Sequence, residues 1–198
     1  MASIWSRLPT QLTMKTNKTT IQDAFLIEAP AFGDERGKFS ENYHQLRYQQ
    51  LGLTQDFVQD NFSFSQYGTI RGLHFQTGDY AQSKLVRVIQ GKIIDVIIDL
   101  RKDSASYQQV YQVELSQENN LQLLAPKGVA HGFSALADHT IVYYKCDQFY
   151  HPESEAGIHP LDDSLAIDWG VSEQKRILSA KDLKHPTLSE YLERESLA

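Results

Sequence analysis

Three side chains able to move protons fall in runs of small and β-branched residues: His74 in "IRGLHFQ", Lys84 in "KLVRV" and Tyr144 in "TIVYYKC". Together these types suit proton abstraction beside a carbonyl. A neutral imidazole takes the proton, an ammonium stabilises the enolate oxygen, and a phenol returns a proton from the other side. Taken singly, each also fits a structural role: a core histidine satisfied by a hydrogen bond, a core tyrosine, a lysine reaching water at a strand end. A second histidine, His131, sits in "PKGVAHGFSAL" near Gly128 and Gly132, where the missing side chains permit a turn and close backbone approach; an incidental histidine in a β-turn is the alternative. Arg36 and Glu41 in "FGDERGKFSEN" read equally as solvated surface. Lys181 and Asp182 in "LSAKDLKHP" read equally as a helix start or an ion pair.

The elements that must position these groups are short strands. From Ala24 to Tyr150, runs of Val, Ile, Phe, Tyr and Leu are cut by turn signals. Strict alternation along "RGLHFQ" predicts Gly72, His74 and Gln76 on one face and Arg71, Leu73 and Phe75 on the other. The same count puts Lys84 with Val86 and Val88, and Tyr144 with Val142 and Cys146. Gly91, between two apolar runs, predicts a hairpin or tight turn. Helical patterning is confined to "SENYHQLRYQQLGL", with Gly52 as its stop, and to the tail "PTLSEYLERESL". Many short antiparallel strands predict a mainly β sandwich or barrel enclosing a pocket. Residues 151–184 lack periodicity and read as long ordered loops packed on it.

Length and charge narrow the classes. A chain of 198 residues fits one domain, expected over residues 21–198, with residues 1–20 as a flexible arm and Met14 as an alternative start. A net charge of -6 leaves no global basic field for nucleic acid or anionic lipid, so an anionic ligand needs a local cluster of cations. No apolar run approaches the roughly 20 residues that span a bilayer. The one cysteine, Cys146, has no partner for an internal disulfide, which fits a reducing, cytoplasmic setting. No His-x-His occurs, and His74 with His131 makes a poor metal site, so no metal is expected. Phosphate-binding loops and a Gly-x-Ser-x-Gly elbow are also missing.

The ordered set "FGDERG", "VQDNFS", "IRGLHFQ", "AQSKLVRVIQGKIIDVIIDLRKDSASY", "PKGVAHGFSAL", "YYKC", "LDDSLAIDW" and "LSAKD" resembles the dTDP-4-dehydrorhamnose 3,5-epimerase family from about Ile21 to Pro186. The resemblance implies a cupin-type β jelly roll, a homodimer, and no metal or other cofactor. It implies inversion of carbons 3 and 5 of dTDP-4-keto-6-deoxy-D-glucose to give dTDP-4-keto-L-rhamnose, in dTDP-L-rhamnose biosynthesis. By the same resemblance His74 is the base, Asp182 the carboxylate that orients it, Tyr144 the general acid and Lys84 the residue beside the keto oxygen. Arg36, Glu41, Gln59, Asn61, Arg71, His131, Glu155 and Lys181 match positions that hold the nucleotide sugar. The chain departs from the family pattern at Phe62, Phe149, Pro160 and Leu161. Two rival readings are an epimerase acting at one carbon of a related dTDP-4-keto sugar and a noncatalytic sugar-nucleotide-binding cupin.

Overall fold

A computed structural model describes residues 14–197. Strands, numbered along the chain, form two antiparallel sheets and a separate hairpin. The first sheet runs β1 (Lys15–Lys18), β2 (Phe25–Glu28), β10 (Leu121–Ala125), β7 (Lys84–Gln90), β12 (Thr140–Cys146) and β5 (Gln59–Ser65). The second runs β13 (Glu155–Gly157), β6 (Ile70–Gln76), β11 (Val129–Ala135), β8 (Lys92–Asp99) and β9 (Val110–Ser116). The hairpin pairs β3 (Ala31–Asp34) with β4 (Gly37–Ser40). Two helices, α1 (Gln45–Gln50) and α2 (Leu188–Leu197), complete the mainly β fold expected from the patterning.

The strands look continuously apolar because both faces of a sheet are covered. In β8, Ile93 and Ile97 pack into the cluster between the sheets with Val86, Val88 and Val142. Val96 and Ile98, on the other face, join Leu73, Phe75, Leu165 and Trp169 under the C-terminal segment. The first sheet's outer face buries Ile27, Leu85 and Leu124 beneath Tyr48 of α1. Each fully buried Leu or Ile contributes about 1.5–3 kcal/mol. Residues 151–184 wrap the second sheet as expected, in four short 3-10 turns around β13, and the Trp169 indole N–H donates to the Pro160 carbonyl at 2.9 Å.

Two expectations change. Gly91 makes a tight turn with φ of +78°, but no hairpin: β7 and β8 lie in different sheets, so the turn hands the chain from one to the other. The expected flexible arm over residues 1–20 does not extend to its C-terminal part. Lys15–Lys18 pair antiparallel with β2, and Met14 is buried beside α1, because an edge backbone and an apolar cleft were available there. Residues 1–13 lie outside the described residues.

Candidate active site

The alternation expected for "RGLHFQ" fails at one point. His131 pairs with His74 and Phe133 with Arg71, so two residues of β6, Gly72 and Leu73, face the single Gly132 of β11. This β-bulge resets the side-chain direction. Ile70, Leu73 and Phe75 enter the core beneath the C-terminal segment. Arg71 therefore shares the cavity face with His74, which corrects the opposite-face expectation. Only glycine fits on either side of the bulge: a Cβ on Gly72 would lie 2.5 Å from Gly132 Cα, and Gly72 holds φ of +125°.

Asp182 is 4% exposed, and its Oδ1 accepts from His74 Nε2 at 2.8 Å. That contact spans 108 residues and leaves His74 Nδ1 as the ring nitrogen without a hydrogen-bond partner among the described residues. The irregular C-terminal segment makes it possible by running beside the start of β6. There Ile177 N–H donates to the Gly68 carbonyl and Ile70 N–H to the Ile177 carbonyl, each at 2.9 Å. Ser179 Oγ then accepts from the Asp182 backbone N–H at 3.0 Å, fixing the carboxylate's approach. Burial lowers the His74 pKa and outweighs the raising effect of Asp182, which favours the neutral ring.

Lys84 and Tyr144 complete the centre. Lys84 Nζ donates to the His74 carbonyl at 3.2 Å and has no carboxylate within ion-pair distance among the described residues. Burial lowers its pKa. Tyr144, on β12, has no hydrogen-bond partner for its hydroxyl among the described residues, and burial raises its pKa. His74, Lys84 and Tyr144 line both of two adjoining cavities, of about 610 Å³ and about 250 Å³. One wall thus presents an imidazole, an amine and a phenol to both cavities.

The larger cavity also takes Arg71, His131, Lys181 and Asp182; the smaller takes Gln59, Asn61 and Glu155. Arg71 is braced by Ser65 Oγ at 3.2 Å and the Phe64 carbonyl at 3.1 Å. Lys181 pairs with Glu155 at 2.7 Å, and Glu155 accepts from the Tyr150 hydroxyl at 2.6 Å, so this pair joins the two mouths. Arg36 and Glu41 are not brought there. Arg36 pairs with Asp34 at the tip of the β3–β4 hairpin, and Glu41 pairs with Arg47 at 2.6 Å beside α1. Of the departures from the family pattern, Phe62 lines the larger cavity and is 64% exposed, Phe149 is exposed, and Pro160 and Leu161 surround Trp169 away from both cavities.

Sequence reasoning missed two partners. Asp95, on β8, is fully buried and its Oδ1 sits 2.7 Å from His131 Nε2, a second histidine–carboxylate pair whose histidine lies directly opposite His74 on the neighbouring strand. His185 stands with its ring edge toward His74, centroids 5.5 Å apart. Asp95 reads from sequence as one charge inside an apolar strand, which was a signal for a buried polar partner. His185 offered none.

The profile of the dTDP-4-dehydrorhamnose 3,5-epimerase family matches residues 18–190. An enzyme of that name from Escherichia coli K12 is 44% identical over 186 residues, covering 93% of this chain and all of its own. One from Methanothermobacter thermautotrophicus is 46% identical over 174 residues, or 87% of this chain and 94% of its own. The crystal structure of a dTDP-6-deoxy-D-glucose-3,5-epimerase from Legionella pneumophila, in complex with dTDP-4-keto-L-rhamnose, superposes with a TM-score of 0.85. It is 47% identical and covers 89% of this chain and 94% of that one.

Proposed function

Because the chain belongs to the dTDP-4-dehydrorhamnose 3,5-epimerase family and is an isomerase, we propose that His74, Asp182, Lys84 and Tyr144 carry its reaction. The substrate is dTDP-4-keto-6-deoxy-D-glucose, and carbons 3 and 5 are inverted to give dTDP-4-keto-L-rhamnose. The observation that carries the assignment of residues is the 2.8 Å bond between His74 and Asp182 at the wall shared by two cavities.

Carbons 3 and 5 flank the same ketone, so one enolate-stabilising group serves both. His74 Nδ1 takes the proton from the carbon. The imidazolium so formed is stabilised by Asp182, as a general base contributing about 10²–10⁴-fold. Lys84, a desolvated ammonium with no carboxylate holding it, faces the oxygen on which charge develops. Tyr144, kept protonated by burial, delivers a proton to the opposite face of the planar enolate. Arg71 and Lys181 supply the local cations that an acidic chain needs for a diphosphate. Gln59, Asn61, His131 and Glu155 offer hydrogen bonds around them.

Arg36 and Glu41 serve the same substrate only across a homodimer. That assembly is favoured by Phe62 and Phe64, which are 64% and 69% exposed on β5 with Ile89 on the same sheet. The dimer is expected in sedimentation, and Phe64→Glu is expected to weaken it. A cytoplasmic setting agrees with buried, unpaired Cys146, and no helix among the described residues is long and apolar enough to cross a membrane.

The test is to supply dTDP-4-keto-6-deoxy-D-glucose in deuterated water and follow carbons 3 and 5 by NMR. Deuterium is expected at both. Exchange at one carbon only would leave a single-carbon epimerase, and exchange at neither a binding protein.

A further inference from the structure

Asp182 faces two imidazoles, and the proton-transfer reading uses only one. His185 lies three residues further on, at the end of the 3-10 turn Asp182–Lys184, with its ring edge-on to His74 at 69°. Gly157 makes room for it. This glycine sits opposite His74 in the β13–β6 ladder, and a Cβ there would lie 2.6 Å from His185 Cε1 and Nε2. The ring is therefore packed over bare backbone, and its Nε2 is buried without a hydrogen-bond partner. One ligand atom from each of His74, Asp182 and His185 lies within 4.8 Å of the others.

We propose that His74, Asp182 and His185 form a binding site for a divalent transition metal such as zinc, and that occupancy switches the base off. Two imidazoles and one carboxylate are a donor set that zinc takes with a fourth position open, at about 2.0–2.2 Å per bond. Tetrahedral ligands at that length stand roughly 3.4 Å apart, so the trio draws in by at most roughly 1.4 Å on its widest side. Imidazole donors select zinc, copper and nickel over magnesium and calcium. Lys181, beside the same turn, points its ammonium to Glu155 at 2.7 Å, while Lys84 opposes the metal from β7.

The effect on catalysis rests on the reading of His74 as base. Neutral His74 donates its Nε2 proton to Asp182 and keeps a lone pair at Nδ1. A metal bound at Nε2 moves that proton to Nδ1; none leaves for solvent, and the ring has no lone pair left to accept one from carbon. Substrate contacts are untouched, so the loss falls on kcat rather than KM.

The full-length protein, stripped with EDTA, is titrated with Co²⁺ as a spectroscopic probe and with Zn²⁺ as inhibitor of deuterium exchange. One Co²⁺ per chain is expected, with intense visible d–d absorption that Zn²⁺ abolishes. Zn²⁺ is expected to suppress exchange at both carbons, Mg²⁺ to leave it unchanged, and EDTA to restore it. His185→Gln is expected to keep turnover, lose the Co²⁺ absorption and need at least about tenfold more Zn²⁺ for half inhibition, since even outer-shell partners of metal ligands are worth about 10–100-fold in affinity. Absence of a one-to-one Co²⁺ complex, or one that His185→Gln retains, would overturn the site. A His185-dependent complex with undiminished exchange would instead overturn His74 as the base.

Discussion

Replacing Asp182 by Asn keeps the shape of a buried side chain and removes its charge. Two opposed influences set the affinity of His74 for a proton: burial, the larger, lowers it, and the bond and charge of Asp182 raise it. In Asp182→Asn the raising influences go, so the imidazolium loses its stabilisation at the moment it forms. The amide also has a donor to offer. Turned toward His74 Nε2 at the 2.8 Å spacing, its N–H forces the ring proton onto Nδ1 and blocks the base outright. General base catalysis is worth about 10²–10⁴-fold. At about 1.36 kcal/mol per decade, the barrier rises by roughly 2.7–5.5 kcal/mol. Because the lost interaction strengthens only as the proton is taken, kcat carries the loss and KM stays within about threefold. Deuterium incorporation at carbons 3 and 5, followed by NMR across substrate concentrations, separates the two. The Ser179 bond to the Asp182 backbone is retained, so thermal unfolding should change little and a folding defect is readily told apart. A variant within tenfold of wild-type kcat, or one impaired in KM alone, would refute the dyad.

Lys84→Met is expected to lower kcat by about 10²–10³, as for other removed oxyanion donors, without lowering the melting temperature, because a buried ammonium with no carboxylate partner is itself unfavourable; a normal rate would remove it from the centre. In the pH profile of kcat/KM, the acid limb should inflect below 6.5, since burial holds the His74 pKa under that ordinary value and activity is lost only as pH falls through the lowered one. An inflection above 7 would contradict a buried, neutral base. Gly132→Ala places a Cβ 2.7 Å from the Arg71 carbonyl and 3.0 Å from Leu73 Cδ2, and should destabilise by about 1–3 kcal/mol in denaturant unfolding while raising KM as Arg71 shifts. Unfolding at the wild-type midpoint would show that the strands tolerate separation.

How far the strands could be read in advance depended on whether their pairing was regular. Counting by twos works along β12, where Val142, Tyr144 and Cys146 do share a face, because its ladder with β5 has no irregularity through that stretch. On β6 the same count separates Arg71 from His74, because one extra residue is accommodated opposite Gly132 and nothing in a period of two announces it. The glycines were the available signal. Gly72 and Gly132 stand in separate motifs, and their meaning emerges only when the two backbones meet at a distance that excludes a Cβ. Of the hairpin or tight turn expected at Gly91 only the tight turn forms, for a related reason: a positive φ specifies a tight turn but not whether the next strand pairs with the last or crosses to the facing sheet.

The carboxylate partners follow a different logic. Asp182 arrives on a segment with no repeating pattern, tied to β6 by the backbone bonds of Ile177 and by the packing of Trp169 and Leu165 in the same core as Leu73 and Phe75. Its position is thus a consequence of how one face of β6 is buried. The bulge that sends Leu73 into that core turns Arg71 and His74 outward, so the contact that orders the C-terminal segment also delivers Asp182 to the exposed edge of His74. Loosening the core should therefore be felt at the dyad. Leu73, fully buried, has no contact with substrate in the proposed chemistry, yet its truncation would loosen the strand and the 3-10 turn that hold His74 and Asp182 2.8 Å apart. Packing and the proposed catalysis meet in β6 because Leu73 and Phe75 face the core while Arg71 and His74 face the cavity.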